Sequence, residues 1–157
     1  MDWHPHVSTV ISKINQRYHL VRKLNFFRID KTLISFIYQS FINSIISFCI
    51  CVWGGNTTGK DIRKINQLVK RATKLTGISQ DCFYSLFDKA CLNKINRILL
   101  DPSHPLYNQI NFSVRSGRIL LLKTKKERYK QSFLPYACKL YSKNNEPRWL
   151  SKLIVFT

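Results

Sequence analysis

No residue between Thr32 and Gly59 carries a charge, and that stretch constrains the fold more than any other part of the chain. From Leu33 to Trp53 it is apolar enough, and at about 1.5 Å per residue long enough, to cross a bilayer. Two environments accept such a helix: lipid, or the middle of a helical core that covers it nearly all round. Gln39, Asn43, Ser35, Ser40, Ser44 and Ser47 are spread through it, and basic residues flank it on both sides. Polar groups at those positions are costly in hydrocarbon, so the composition favours a buried core helix over a membrane span. Gly54-Gly55-Asn56 ends the segment.

The neighbouring helices follow from spacing and caps. Val7, Val10, Ile11, Ile14, Tyr18 and Val21 recur at helical intervals from Val7 to Leu24, while Lys13, Gln16, Arg17 and Lys23 fall mainly elsewhere on the wheel. Asn25 to Asp30 breaks the pattern, and Asp30 is the expected N-cap of a second helix starting near Lys31. Thr58 with Asp61 makes a capping-box-like start to a third helix that Gly77 stops, with Ile62, Ile65, Leu68, Val69, Ala72 and Leu75 as its buried stripe. A fourth helical region, Gln80 to Leu100, buries Phe83, Leu86, Phe87, Ala90, Ile95, Ile98 and Leu99 and stops at Asp101-Pro102. Beyond it Pro102 and Pro105 impose an extended or turned backbone, Asn111 to Gly117 is loop-like, and Ile119 to Leu122 is a short apolar run of either type. The expected fold is therefore mainly α, with about four helices in residues 1–101 and an extended basic, aromatic C-terminal tail over 102–157.

Charge points to a partner. The chain sets 26 Lys and Arg against 8 Asp and Glu, a formal net charge of +18. Such an excess repels itself and attracts polyanions, although Lys, Asn, Ile and Phe also accumulate through codon bias in an AT-rich genome. On the third helix Lys60, Arg63, Lys64, Gln67, Lys70, Arg71 and Lys74 line the side opposite the apolar stripe, with no acid among them after Asp61. That ridge is either a solvated lysine face or a phosphate-binding one. In the tail, Arg115, Arg118 and Arg128 suit bidentate phosphate contacts, and Lys123, Lys125, Lys126 and Lys130 add charge. Phe133, Tyr136 and Tyr141 offer stacking faces to unpaired bases or anchor the tail to the core.

Catalytic constellations are missing from the sequence. Asp2, Asp30, Asp61, Asp81, Asp88, Asp101, Glu127 and Glu146 are isolated, without the tandem aspartates that a metal-dependent polymerase or nuclease requires. Asp101 and His104 read as parts of a turn rather than of a catalytic dyad. Cys49, Cys51, Cys82, Cys91 and Cys138 show no C-x-x-C spacing, and His4, His6, His19 and His104 are scattered, so no zinc site is expected. The cysteines read as reduced, mostly buried thiols of an intracellular protein of the nucleus or cytoplasm. Met1-Asp2-Trp3-His4-Pro5 carries no secretory signal. No glycine-rich phosphate loop or dinucleotide fingerprint occurs, and no catalytic residue, cofactor or metal is expected.

Several short motifs then gain meaning from their order. They are Trp3, the run Ile14-Asn15-Gln16-Arg17-Tyr18-His19-Leu20-Val21-Arg22-Lys23-Leu24, Phe36-Ile37-Tyr38-Gln39-Ser40-Phe41-Ile42, Cys49, Trp53-Gly54-Gly55-Asn56 and Gly77. Asp101-Pro102-Ser103-His104-Pro105-Leu106, Ser113-Val114-Arg115-Ser116-Gly117-Arg118 and Arg128-Tyr129-Lys130-Gln131-Ser132-Phe133-Leu134-Pro135 follow. Together they resemble the thumb and C-terminal region of reverse transcriptases from LINE-type, non-LTR retrotransposons. The resemblance implies a helical region that helps hold template and primer, with the polymerase chemistry lying in a part of the family's proteins that precedes it. Two departures stand out: Ile119 follows Arg118 where the family often has a second arginine, and Cys91 to Lys94 replaces a usual arginine.

Gln16 to Ile42 is also similar to the short N-terminal segment of the eighth AlkB homologue, a tRNA-modifying dioxygenase and methyltransferase. The iron-binding His-x-Asp and His set and the glycine-rich cofactor turn of those activities have no counterpart in this chain. The expected function is that of a non-catalytic remnant of a retrotransposon reverse transcriptase binding RNA or single-stranded DNA nonspecifically. Its expected contacts are Lys60, Arg63, Lys64, Lys70, Arg71, Lys74, Arg115, Arg118, Lys125, Arg128 and Lys130. A membrane is not the expected partner, and a single-pass membrane protein through Leu33 to Trp53 and an AlkB-type enzyme are the competing classes.

Overall fold

A computed structural model describes residues 3–77, 79–113, 115, 119–121 and 123–144. The chain is mainly helical, and no strand forms among the described residues. It divides into two compact units, Met1–Phe87 and Asp88–Thr157.

In the first unit, helix α1 (His4–Phe26) carries Pro5 in its first turn, where a missing N–H costs nothing. Val7, Val10, Ile14 and Val21 form its buried stripe, while Ile11 and Tyr18 are half-buried at its margins. The charge-free segment follows as α2 (Lys31–Tyr38), a π-helical turn (Gln39–Asn43), α3 (Ser44–Ser47) and α4 (Ile50–Trp53), closed by a 3-10 turn over Gly54–Asn56. Asp30 caps α2 as expected: its carboxylate accepts the N–H groups of Thr32 at 2.9 Å and Leu33 at 3.4 Å.

The buried residues of this segment are Ile34, Tyr38, Ile42, Ile46 and Ile50, one every fourth position, followed by Trp53 and Gly54. A four-residue spacing drifts by about 40° per step around an ideal α-helix, so a straight rod would carry the stripe away from the core. The wider π turn takes up that drift. A second break comes at Phe48, which is extended, and Cys49, which is left-handed at φ 50°. Two of the serines are satisfied locally: Ser40 donates to the Phe36 carbonyl and Ser44 to that of Ser40. Arg17 of α1 donates to the Phe41 carbonyl at 3.0 Å and lies over the Phe41 ring, tying the π turn to α1.

The expectation of a helix covered nearly all round is corrected here. Lys31–Asn56 is long and apolar enough to cross a membrane, yet only 33% of its most apolar window is buried. Leu33, Phe36, Phe41, Phe48 and Val52 remain exposed, since α1 and α5, with Phe83 and Phe87 against Trp53 and Gly54 at its end, cover the side that carries the buried stripe.

Helix α5 (Gly59–Thr76) packs along α1. Its buried stripe is Ile62, Ile65, Leu68, Val69 and Ala72, as the spacing predicts; Leu75 is half-exposed and Thr76 takes the buried place, its hydroxyl donating to the Ala72 carbonyl. Gly77 ends the helix at φ 70°, its N–H bonded to Thr73. Gly54 has a different reason to be glycine: a Cβ there would stand 2.6 Å from the Phe87 ring. Trp53, Phe83 and Phe87 are all but fully buried, and the Trp53 indole donates to the Phe48 carbonyl at 2.9 Å.

Helix α6 (Phe83–Leu100) starts later than the sequence suggests, its first N–H capped by the Asn66 side chain at 2.9 Å. It buries Phe83, Phe87, Cys91, Ile95 and Ile98, whereas Leu86, Ala90 and Leu99 are only half-buried. In the second unit Asp101 holds a turn, accepting the Ser103 N–H and hydroxyl, and His104 Nδ1 accepts the Leu106 N–H. The Ser103 hydroxyl and N–H also hold the Asp101 carboxyl below its ordinary range. Phe112 and Ile119 form one isolated antiparallel bridge.

The expected extended tail is corrected as well. Two helices, α7 (Glu127–Lys130) and α8 (Phe133–Asn144), form there, and Leu134, Pro135, Ala137 and Cys138 are buried. Pro135 sits in the first turn of α8, a position that tolerates it. None of the five cysteines forms a disulfide, and of the five Cys91 and Cys138 are buried; Cys49 and Cys82 are exposed because each lies in a bend or loop rather than on a buried stripe.

Candidate nucleic-acid interface

The basic face of α5 begins with the cap that orients the helix. Asp61 is buried; its Oδ2 accepts the Thr58 hydroxyl at 2.8 Å and lies 2.9 Å from His4 Nδ1, which fastens the start of α5 to the start of α1. The His4 contact, with help from Thr58 and Lys64, holds the Asp61 carboxyl below its usual range against the opposing effect of burial. With Asp61 committed, the helix continues as a run of cations.

The structure divides that run. Lys60, Arg63, Lys64, Lys70, Arg71 and Lys74 are all exposed on α5. Arg63 and Lys70, about 10 Å apart along the axis, line a groove of about 570 Å³ with Asn66, Gln67, Val69, Thr73, Ser79, Gln80 and Cys82. Among the described residues no carboxylate lines it. Arg71 lies toward α1, where its charge and that of Arg22 partly offset the rise that burial gives the Tyr18 phenol. Lys64 leans back to Asp61 at 3.9 Å. Lys60 and Lys74 stand near the two ends of the helix and are not part of the groove lining.

The remaining expected contacts belong to the second unit. Arg115, Lys125, Arg128 and Lys130 are exposed, and Lys130 faces Glu127 at 3.4 Å in a solvent-exposed pair. Arg118 lies outside the described residues. Of the tail aromatics, Phe133, Tyr136 and Tyr141 are all half-buried, and the Tyr136 hydroxyl donates to Asp88 of α6 at 2.6 Å, which ties Tyr136 to that helix.

Sequence reasoning missed the amide and hydroxyl lining supplied by Asn66, Thr73, Ser79 and Gln80. Their signal was present for α5, since 63, 66, 67, 70 and 73 share one side of a helix; the loop partner Gln80, to which Gln39 donates at 2.8 Å, had none. Chemically, two cations among amides suit a phosphodiester with adjoining polar edges, and the volume lies within the usual range of ligand sites. Among the described residues no three His, Cys, Asp or Glu side chains gather into a metal-binding group. No family model, curated protein or solved structure matches the chain.

Proposed function

We propose that this chain binds RNA or single-stranded DNA without sequence specificity, as a non-catalytic remnant of a retrotransposon reverse transcriptase. The observation that carries the reading is the α5 groove, where Arg63 and Lys70 flank a row of amides with no carboxylate in the lining among the described residues. Cations so placed release condensed counterions from a nucleic-acid backbone, and that release supplies nonspecific affinity. The net charge of +18 adds long-range attraction.

The test is affinity of the full chain for a single-stranded RNA across a salt series. The wild type is expected to lose affinity linearly against log salt, and Arg63→Ala/Lys70→Ala to lower that slope by about 1.4, at roughly 0.7 per phosphate contact. An unchanged slope in the double variant sinks the groove as the binding face. A second reading, a membrane span through Lys31–Asn56, rests on the length and hydropathy of that segment. It requires the segment to leave α1 and α5 and to carry the break at Phe48 and Cys49 into lipid, and resistance of the chain to alkaline extraction from membranes tests it.

A further inference from the structure

The corner between α1 and α2 exposes aromatic surface that the fold does not use. Phe26 is 80% exposed and Phe27 70%, their rings 5.6 Å apart and inclined at 76°. Phe36 and Leu33, on the following helix, are exposed too. Single apolar residues on a surface need no explanation, but adjacent phenylalanines forgo a large part of the free energy that burial of a ring supplies.

Nor is the corner a frayed end. Arg28 N–H donates to the Asn25 carbonyl at 3.1 Å and Ile29 N–H to that of Leu24 at 3.3 Å, the paired bonds of a Schellman closure. The closing position needs a left-handed backbone, usually supplied by glycine, and here Arg28 adopts it at φ 54°. The backbone therefore accepts strain and still fixes the two rings outward.

Charge surrounds them. Arg22, Lys23, Arg28 and Lys31 are exposed at the same corner, and the one acid there, Asp30, has its carboxylate engaged by the first turn of α2. Flat apolar faces interleaved with cations match the two components of an unpaired strand, whose bases stack and whose phosphates carry charge. The edge-to-face pair leaves separate ring faces, on which two splayed bases can stack one at a time. We infer that the Lys23 to Lys31 corner is a base-stacking platform for single-stranded RNA or DNA, with Phe26 and Phe27 as the stacking faces and Lys23, Arg28 and Lys31 as the phosphate contacts. This inference rests on the nucleic-acid reading above and adds to it a preference for unpaired over duplex strands.

The experiment compares full-chain affinity for a fluorescent oligouridine, for a duplex of equal length and for phosphatidylserine-containing vesicles. Phe26→Ser/Phe27→Ser is expected to lose at least about tenfold in oligouridine affinity, to keep its duplex affinity, and to leave the salt slope unchanged, since stacking releases no counterions. Phe26→Leu/Phe27→Leu keeps apolar bulk without an aromatic face and guards against a folding defect; it is expected to lose affinity to a similar degree. Retained affinity in the leucine variant overturns the inference, as does an equal loss on duplex, or a loss confined to vesicles. If Arg63→Ala/Lys70→Ala flattens the slope while the phenylalanine variants change nothing, only the platform fails. A wild type with no salt-dependent RNA binding removes the proposed function itself.

Discussion

Two residues show how much single side chains decide here. Asp61 is a cap, a buried acid and the anchor of His4 at once. Its carboxyl titrates lower in the folded chain than in the unfolded one, so its contribution is complete above the unfolded value of about 3.9 and is lost as pH falls through the lower folded value. Asp61→Asn should therefore cost about 1–2 kcal/mol at neutral pH, and the gap from wild type should narrow below about pH 4; chemical denaturation at stepped pH measures both. Gly54 is the second case. A methyl group there meets the Phe87 ring at 2.6 Å, inside a packed aromatic core, so Gly54→Ala is expected to destabilise by about 2 kcal/mol in the same assay. The pattern of the sequence announced Asp61 as a capping partner, but its burial and the reach of His4 across 57 positions come only from packing.

At the scale of elements, the caps were legible and the bends were not. Asp30, Thr58 and Gly77 sit where the sequence puts the ends of helices, because caps are local chemistry between a side chain and the next turn. The π turn over Gln39–Asn43 has no such local signature. It follows from the four-residue spacing of Ile34, Tyr38, Ile42, Ile46 and Ile50, which matters only when a neighbour presses on one face. Helix α8 was hidden for a related reason, since Pro135 reads as a breaker until its place in the first turn is known. The left-handed Arg28 that closes α1 gives a direct test. Arg28→Gly should raise stability by about 0.5–1 kcal/mol in denaturant melts, glycine's relief of backbone strain being partly offset by its unfolded-state entropy.

For the whole molecule the dominant quantity is charge. At +18 over 157 residues, self-repulsion opposes compaction, and salt screens it within about 8 Å at 0.15 M. The melting temperature is expected to rise by about 3 °C or more between 10 mM and 150 mM salt, the opposite direction to nucleic-acid affinity, and thermal denaturation followed by circular dichroism measures it. The sequence by itself determined the helical class, the start of α2, both ends of α5 and the cationic side of α5, because periodicity and capping act within a few residues of their cause. Tertiary structure alone decided which of those cations share the groove with Asn66 and Gln80, which cysteines are covered, and that the charge-free segment buries only one side. Those outcomes depend on which distant surfaces meet, and the supply of covering surface is a property of the assembled chain rather than of any stretch of it.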